Sequence, residues 1–381
     1  MKYVRYSAVF FFAVSLLLAI YRHLYIDELF SYQGILNTTA HVILQYTRFK
    51  SANNQLINSL YMHFVIAAGI KQLIFFRLPS LLSLVLFTVY YHKYLGRQSG
   101  DMTDGNKSNT FYLIICVLPF ILPYFTFFSL ARGYALAIGS LMAAFYYFVK
   151  TDDTYSLRDS VLFTLFGIVS SLSVFSFIYP FAAMLLLMVL KNYKNIISTS
   201  RSVKGFVSQL VLLLLIAAVS YYIYDKGKII TVNDTGIAGG NRLLKDGMLS
   251  SIFSFMAFQD VTTKSIIPSV MFFVILKYAI MITLIPSLVI FYRKRKMPLA
   301  HKVLVAAVLL IIATHLGLHA LYPFGRAICY LPLLLYVPLI TTYIANKKER
   351  LLYNIHFLVV MAAGFWGIFN DLCLAFSMLK K

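Results

Sequence analysis

Long apolar runs alternate with short polar breaks along the whole chain. Runs near 20 apolar residues read as membrane-spanning helices, and the strict alternation of a membrane β-barrel is missing. The pattern predicts about eleven spans. The first covers 6–22 and the second runs from Arg77 to about Tyr94. The next fall at 110–127, from Tyr134 to Lys150, and at 159–176, 180–192 and 206–223. The last four fall at 268–292, at 302–320, from about 327 to 344, and at 351–370. Two long connections stand out, 23–76 and 225–265. In the first, 57–76 is apolar but broken by Asn58, His63, Lys71 and Gln72. It reads as a helix lying in the interface, because a full span there would invert the charge pattern of every later loop.

That charge pattern sets the orientation. The basic residues gather in short loops, at Lys191, Lys194, Arg201 and Lys204, at Arg293-Lys294-Arg295-Lys296, and at Lys347, Lys348 and Arg350. Such clusters mark the cytoplasmic side. Lys2 and Arg5 precede an apolar run at 8–20 with no small-x-small cleavage site, so it reads as an uncleaved anchor. Loops 23–76 and 225–265 then lie outside. The fold class expected is an all-α polytopic membrane protein. It forms one transmembrane domain over 1–381, with interfacial helices in the first outer loop.

Composition agrees. The chain is 60% hydrophobic and 12% charged, against about 25% charged in soluble proteins. The net charge of +21 points to anionic membrane lipids rather than nucleic acid, because it sits in loops beside apolar spans. Cys116, Cys329 and Cys373 lack metal-ligand spacing and read as packing residues.

The candidate chemistry begins at Asp27-Glu28, directly after the first span. Glutamate occurs only twice in the chain, at Glu28 and Glu349. Asn53-Asn54, Ala131-Arg132-Gly133-Tyr134 and Tyr322-Pro323-Phe324-Gly325-Arg326 fall on the same outer side, and Arg77 stands at the same level. No carboxylate lies within a span other than Asp159 at the very start of one, which disfavours a proton-driven transporter. A carboxylate at an interface can deprotonate a nucleophile, and guanidinium groups can hold a phosphate as it leaves.

These residues resemble the type C glycosyltransferases (GT-C), polytopic enzymes that use polyprenyl-phosphate-linked sugars. Protein O-mannosyltransferases and aminoarabinose lipid A transferases belong to that group. The resemblance rests on the Asp27-Glu28 pair, on Asn53-Asn54-Gln55-Leu56-Ile57-Asn58, and on Arg77-Leu78-Pro79-Ser80. It rests also on Ala131-Arg132-Gly133-Tyr134 and on Tyr322-Pro-x-Gly-Arg326. It implies a GT-C-like fold and an inverting sugar transfer to a lipid, glycan or protein acceptor at the outer face. Asp27 would be the base, with Glu28 its partner. Arg132, Arg326, Arg77 and Lys277 would meet the donor phosphate. Asn53, Asn54, Tyr134 and Tyr322 would line the substrate site. Some relatives hold a divalent metal nearby; Gln55 is a poor ligand for one, so no metal residue is assigned and no cofactor is certain.

Other readings stay open at single positions. Arg77 can mark a helix start, and Lys277 can reach back to the interface as a snorkelling lysine. His315 and His319 have the spacing of a metal pair but also of two packing histidines. The second outer loop has the turn chemistry of a lid, at Asn233-Asp234-Thr235-Gly236 and Gly239-Gly240-Asn241-Arg242. Two alternatives cover the whole chain: an envelope-polysaccharide polymerase or ligase, and a non-catalytic lipid or sugar transporter. The compact length and the lack of a retention signal point to a bacterial inner membrane, with the active site facing outward.

Overall fold

A computed structural model of the protein describes residues 2–22, 26–47, 50, 54–98, 127–233, 278–280, 282–289, 292, 297–320, 323, 329–345 and 350–378. Among these residues every regular element is a helix. In order they are α1 (Lys2–Tyr21), α2 (Ile26–Ile35), α3 (Ala40–Gln45), α4 (Leu56–Ala67), α5 (Leu73–Gln98), α6 (Gly133–Asp153) and α7 (Leu157–Ser173). A 3-10 turn (Phe175–Phe177) leads into α8 (Ile178–Ser200). Then come α9 (Val203–Asn233), α10 (Leu299–Leu318), α11 (Tyr330–Ala345) and α12 (Arg350–Met378). The expected span at 110–126, most of that at 268–292, the basic clusters at 293–296 and 346–349, and the second outer loop beyond 233 lie outside the described residues.

Five helical segments are long and apolar enough to cross a membrane: α5, α6, the 3-10 turn with α8, α9, and α10. The chain is a multi-pass, all-α membrane protein. Its centre is α6, packed between α5 and α7. Ala135, Gly139 and Ala143 recur every four residues on α6 and are buried. This small-residue spacing lets helix backbones approach closely where apolar side chains gain little from leaving lipid. At Gly139 the approach is tight enough that an added Cβ would stand 2.7 Å from the Ser83 carbonyl oxygen of α5.

The segment between α1 and α5 folds into three short helices over a small core of Ile35, Ile43, Tyr46, Leu56, Met62, Val65 and Phe76. The 12 residues of α4 span about 18 Å at 1.5 Å per residue, well short of a bilayer core of about 30 Å. Gly69, at φ +74°, turns the chain where a residue with a Cβ would be strained. Residues 57–76 are therefore not one helix.

Several boundaries differ from the expected ones. α8 runs to Ser200 rather than 192, which puts Lys191 and Lys194 of the expected basic loop on the helix, and α12 runs to Met378 rather than 370. α5 starts at Leu73 rather than Arg77, which puts Pro79 inside the helix instead of in its first turn. Pro79 has no N–H for the Phe75 carbonyl four residues back. The Tyr61 hydroxyl of α4 donates to that carbonyl instead, at 2.8 Å. α9 continues to Asn233, past the expected end at 223. This end of α9 is tied to the segment between α1 and α5: the Tyr222 hydroxyl donates to the Leu44 carbonyl at 2.7 Å, and Lys226 Nζ, in the added turns, to Gln45 Oε1 at 3.0 Å.

Candidate active site at one end of the helix bundle

Several of the polar residues singled out in the sequence meet around residues 127–133, the turn that enters α6. Glu28 sits in the first turn of α2, and its carboxylate faces Arg77 of α5. The Arg77 Nε donates to Glu28 Oε1 at 3.0 Å and its Nη2 to Oε2 at 2.8 Å, with both side chains fully buried. Arg77 Nη1 also donates to the carbonyls of Ala19 and Arg22, at 2.9 and 2.7 Å. These carbonyls close α1, where four acceptors lack intrahelical donors. One guanidinium thus ties α1, α2 and α5 together. Glu28 Oε1 further accepts from the Ala131 N–H at 2.5 Å.

The rest of the turn is held the same way. The Ser80 hydroxyl donates to the Leu130 carbonyl at 2.5 Å and the Arg132 carbonyl at 3.3 Å. Asn58 Nδ2 donates to the Ala131 carbonyl at 2.9 Å. Gly133 N–H donates to Gln55 Oε1. Glycine is required at 133 because a Cβ there would stand 2.6 Å from the Ser173 carbonyl oxygen. Arg132 is buried; its Nη1 donates to Ser31 Oγ at 3.3 Å, and its guanidinium carbon lies 5.4 Å from the centre of the Tyr134 ring. Asp27 stands one helical turn before Ser31 in α2, and its side chain lies outside the described residues.

Beside this turn opens a cavity of about 580 Å³. Its wall gathers helix ends: Asn54 and Gln55 before α4, Tyr134 at the start of α6, Ser173 at the end of α7, and Tyr179 in the first turn of α8. Residues 220–230 of α9 and the end of α10 complete it. The expected outer ends of five spans therefore share one cavity. Pro323, from the last of the sequence constellations, also lines it.

Two bulky residues of the wall, Tyr46 and His319, are left-handed at φ 53°. Such a conformation is strained for a large side chain and persists where surrounding contacts fix it. The Tyr46 hydroxyl donates to the Asn54 carbonyl at 2.5 Å, and Asn54 Nδ2 donates to the Ile43 carbonyl at 3.2 Å. Burial, then the neighbouring Tyr222, push the Tyr46 phenol well above its usual value, so it stays a neutral donor. Asn54 Oδ1 and Gln55 Nε2 are buried and have no hydrogen-bond partner among the described residues. An orphaned buried polar atom costs about 1–3 kcal/mol.

The structure thus separates the sequence candidates. Asn54 and Tyr134 line the cavity. Glu28 and Arg77 face one another and hold the turn, and Arg132 lies behind Tyr134. Asn53, Lys277, Tyr322 and Arg326 lie outside the described residues. Among the described residues, Gln55 is engaged by the backbone. Its amide oxygen takes the Gly133 N–H, and the remaining –NH₂ is not a ligand. His315 is turned to its own helix end, with Nδ1 2.7 Å from the Ala320 carbonyl oxygen. No cluster of three or more His, Cys, Asp or Glu occurs among the described residues.

Sequence reasoning passed over Tyr46, Tyr179 and Lys228, all of the cavity wall. Aromatics are so frequent here that none carries a signal, and Lys228 fell in an expected loop. No family model, curated protein or solved structure matches the chain.

Proposed function

We propose that this chain is a GT-C type membrane glycosyltransferase of about eleven spans, acting on a polyprenyl-phosphate sugar at the extracytoplasmic face. The observation that supports this best is the gathering of four sequence-distant polar constellations at one cavity-bearing end of the bundle. They come from positions 27–31, 54–58, 77–80 and 131–134.

In this reading Asp27 takes the proton of an acceptor hydroxyl. The acceptor oxygen attacks the anomeric carbon as the bond from that carbon to the phosphate oxygen breaks. The bonding pair leaves with the phosphate, and Arg132 and Arg326 stabilise the charge that develops there. One displacement inverts the anomeric centre. No strong acid is needed, because a phosphate is already a good leaving group. Glu28 becomes a positioning residue. Held by Arg77 and the Ala131 N–H, it fixes α2 against the α6 entry turn.

The test is a panel of radiolabelled polyprenyl-phosphate monosaccharides offered to proteoliposomes that hold the protein, with release of polyprenyl phosphate as the readout. The reading expects at least one donor to be consumed and the product to carry the opposite anomeric configuration. Retained configuration, or use of diphosphate-linked oligosaccharides alone, contradicts it.

A further inference from the structure

Among the described residues of the cavity wall the only lysine or arginine is Lys228, near the end of α9. It belongs to none of the sequence constellations. Its neighbour Lys226 is largely buried and engaged, 2.8 Å from Asp225 and 3.0 Å from Gln45. Lys228 is exposed, and no carboxylate pairs with it among the described residues; its Nζ lies 4.1 Å from the centre of the Tyr224 ring. Tyr224 is itself a wall residue. The 31 residues of α9 measure about 46 Å at 1.5 Å per residue. That exceeds a bilayer core of about 30 Å, and Asp225, Lys226 and Lys228 at its C-terminal end suit headgroup level. The rest of the described wall is apolar or neutral apart from His319, and includes no carboxylate.

We propose that Lys228 is a phosphate-holding cation of this cavity, and that the cavity takes an anionic amphiphile: a phosphate ester carried on an apolar chain. The chemistry follows from what the wall offers. An apolar surface takes the chain, and a cation at the lipid–water boundary takes the charge. Tyr224 stacks on the ammonium group and limits its freedom, which lowers the cost of fixing it on a ligand. The proposal rests on the transferase reading only for calling the ligand a sugar donor. Its test reads binding without transfer, so either idea can fail alone.

The experiment uses the full chain in nanodiscs of zwitterionic lipid and measures equilibrium binding of radiolabelled farnesyl phosphate and farnesol. Wild type is expected to bind farnesyl phosphate at least about tenfold more tightly than farnesol, the worth of one charged hydrogen bond. Lys228→Gln should remove that advantage and leave farnesol binding unchanged, whereas Lys228→Arg should keep it. Equal binding of the two compounds by wild type overturns the proposal. So does an undiminished advantage in Lys228→Gln, which would make Lys228 a snorkelling residue only. Inorganic phosphate that displaces farnesyl phosphate at equal concentration also overturns it, because the site would then read free phosphate rather than a lipid head.

Discussion

The two ends of the bundle use similar charged residues in different ways. At the cavity end, Arg77 and Glu28 are 49 residues apart and fully buried. The bond from the Ala131 N–H to Glu28 spans 103 residues, and that from Lys226 to Gln45 spans 181. At the opposite end, Arg97 pairs with Asp153, Lys150 with Asp159, and Lys191 with Asp152, each with at least one side chain well exposed. The Arg97–Asp153 and Lys191–Asp152 pairs are open enough to contribute about 0–1 kcal/mol each, while Asp159 of the third pair is buried. The buried pair gains no such freedom. It is desolvated, and both partners must stay for either to be tolerated. One end is therefore built to be soluble and oriented, the other to hold a particular geometry.

Breaking the buried pair tests this contrast most severely. Glu28→Gln leaves a buried guanidinium without its counter-charge and should cost about 3–5 kcal/mol. Thermal unfolding in detergent should show a large fall in midpoint. The double variant Glu28→Gln, Arg77→Met should recover much of the loss, because no charge is then stranded. A midpoint unchanged in Glu28→Gln would mean that the pair holds nothing.

Gly133→Ala is the next test. Its Cβ would meet the Ser173 carbonyl oxygen at 2.6 Å, and neither backbone gives way freely. Overpacking of this kind costs about 1–3 kcal/mol, and the turn should shift away from Gln55. The same exchange at Gly96, where a Cβ meets nothing within 4 Å, should leave the midpoint unchanged or slightly raised. Equal effects at the two glycines would remove the close approach as the reason for Gly133.

The smallest effect is expected at the basic end. Asp153→Asn breaks the Arg97 pair, whose carboxylate side chain is 53% exposed, and should change stability by less than about 1 kcal/mol. A loss as large as that of Glu28→Gln would erase the contrast between the two ends.

The helical, membrane-spanning character and several span positions were legible, because an apolar run of the right length permits few structures. Helix ends were less so. Asp225, Lys226 and Lys228 made the end of α9 look like loop, yet its turns are helical, and Tyr222 and Lys226 find partners on the segment between α1 and α5. Arg77 read as a donor-phosphate residue or as the mark of a helix start. Its role depends on Glu28, 49 residues away, which no local pattern shows. The small-residue repeat Ala135, Gly139, Ala143 was readable in principle and marks the most buried helix. At the candidate site, residues from several of the quoted motifs lie near one another, at the α6 entry turn and the cavity beside it. Of the described residues in those motifs, Asn54, Gln55, Tyr134 and Pro323 reach the cavity, while Glu28, Asn58, Arg77 and Ser80 support the turn. Which residue lines and which supports depends on side-chain direction in a turn built from four separate segments.

The most direct measurement compares wild type and Asp27→Asn in the same proteoliposomes, with the donor that wild type consumes. The account predicts that Asp27→Asn keeps the wild-type unfolding midpoint and loses about 10²–10⁴-fold in the rate of polyprenyl phosphate release, the contribution of a positioned base. Release at the wild-type rate by Asp27→Asn would contradict it.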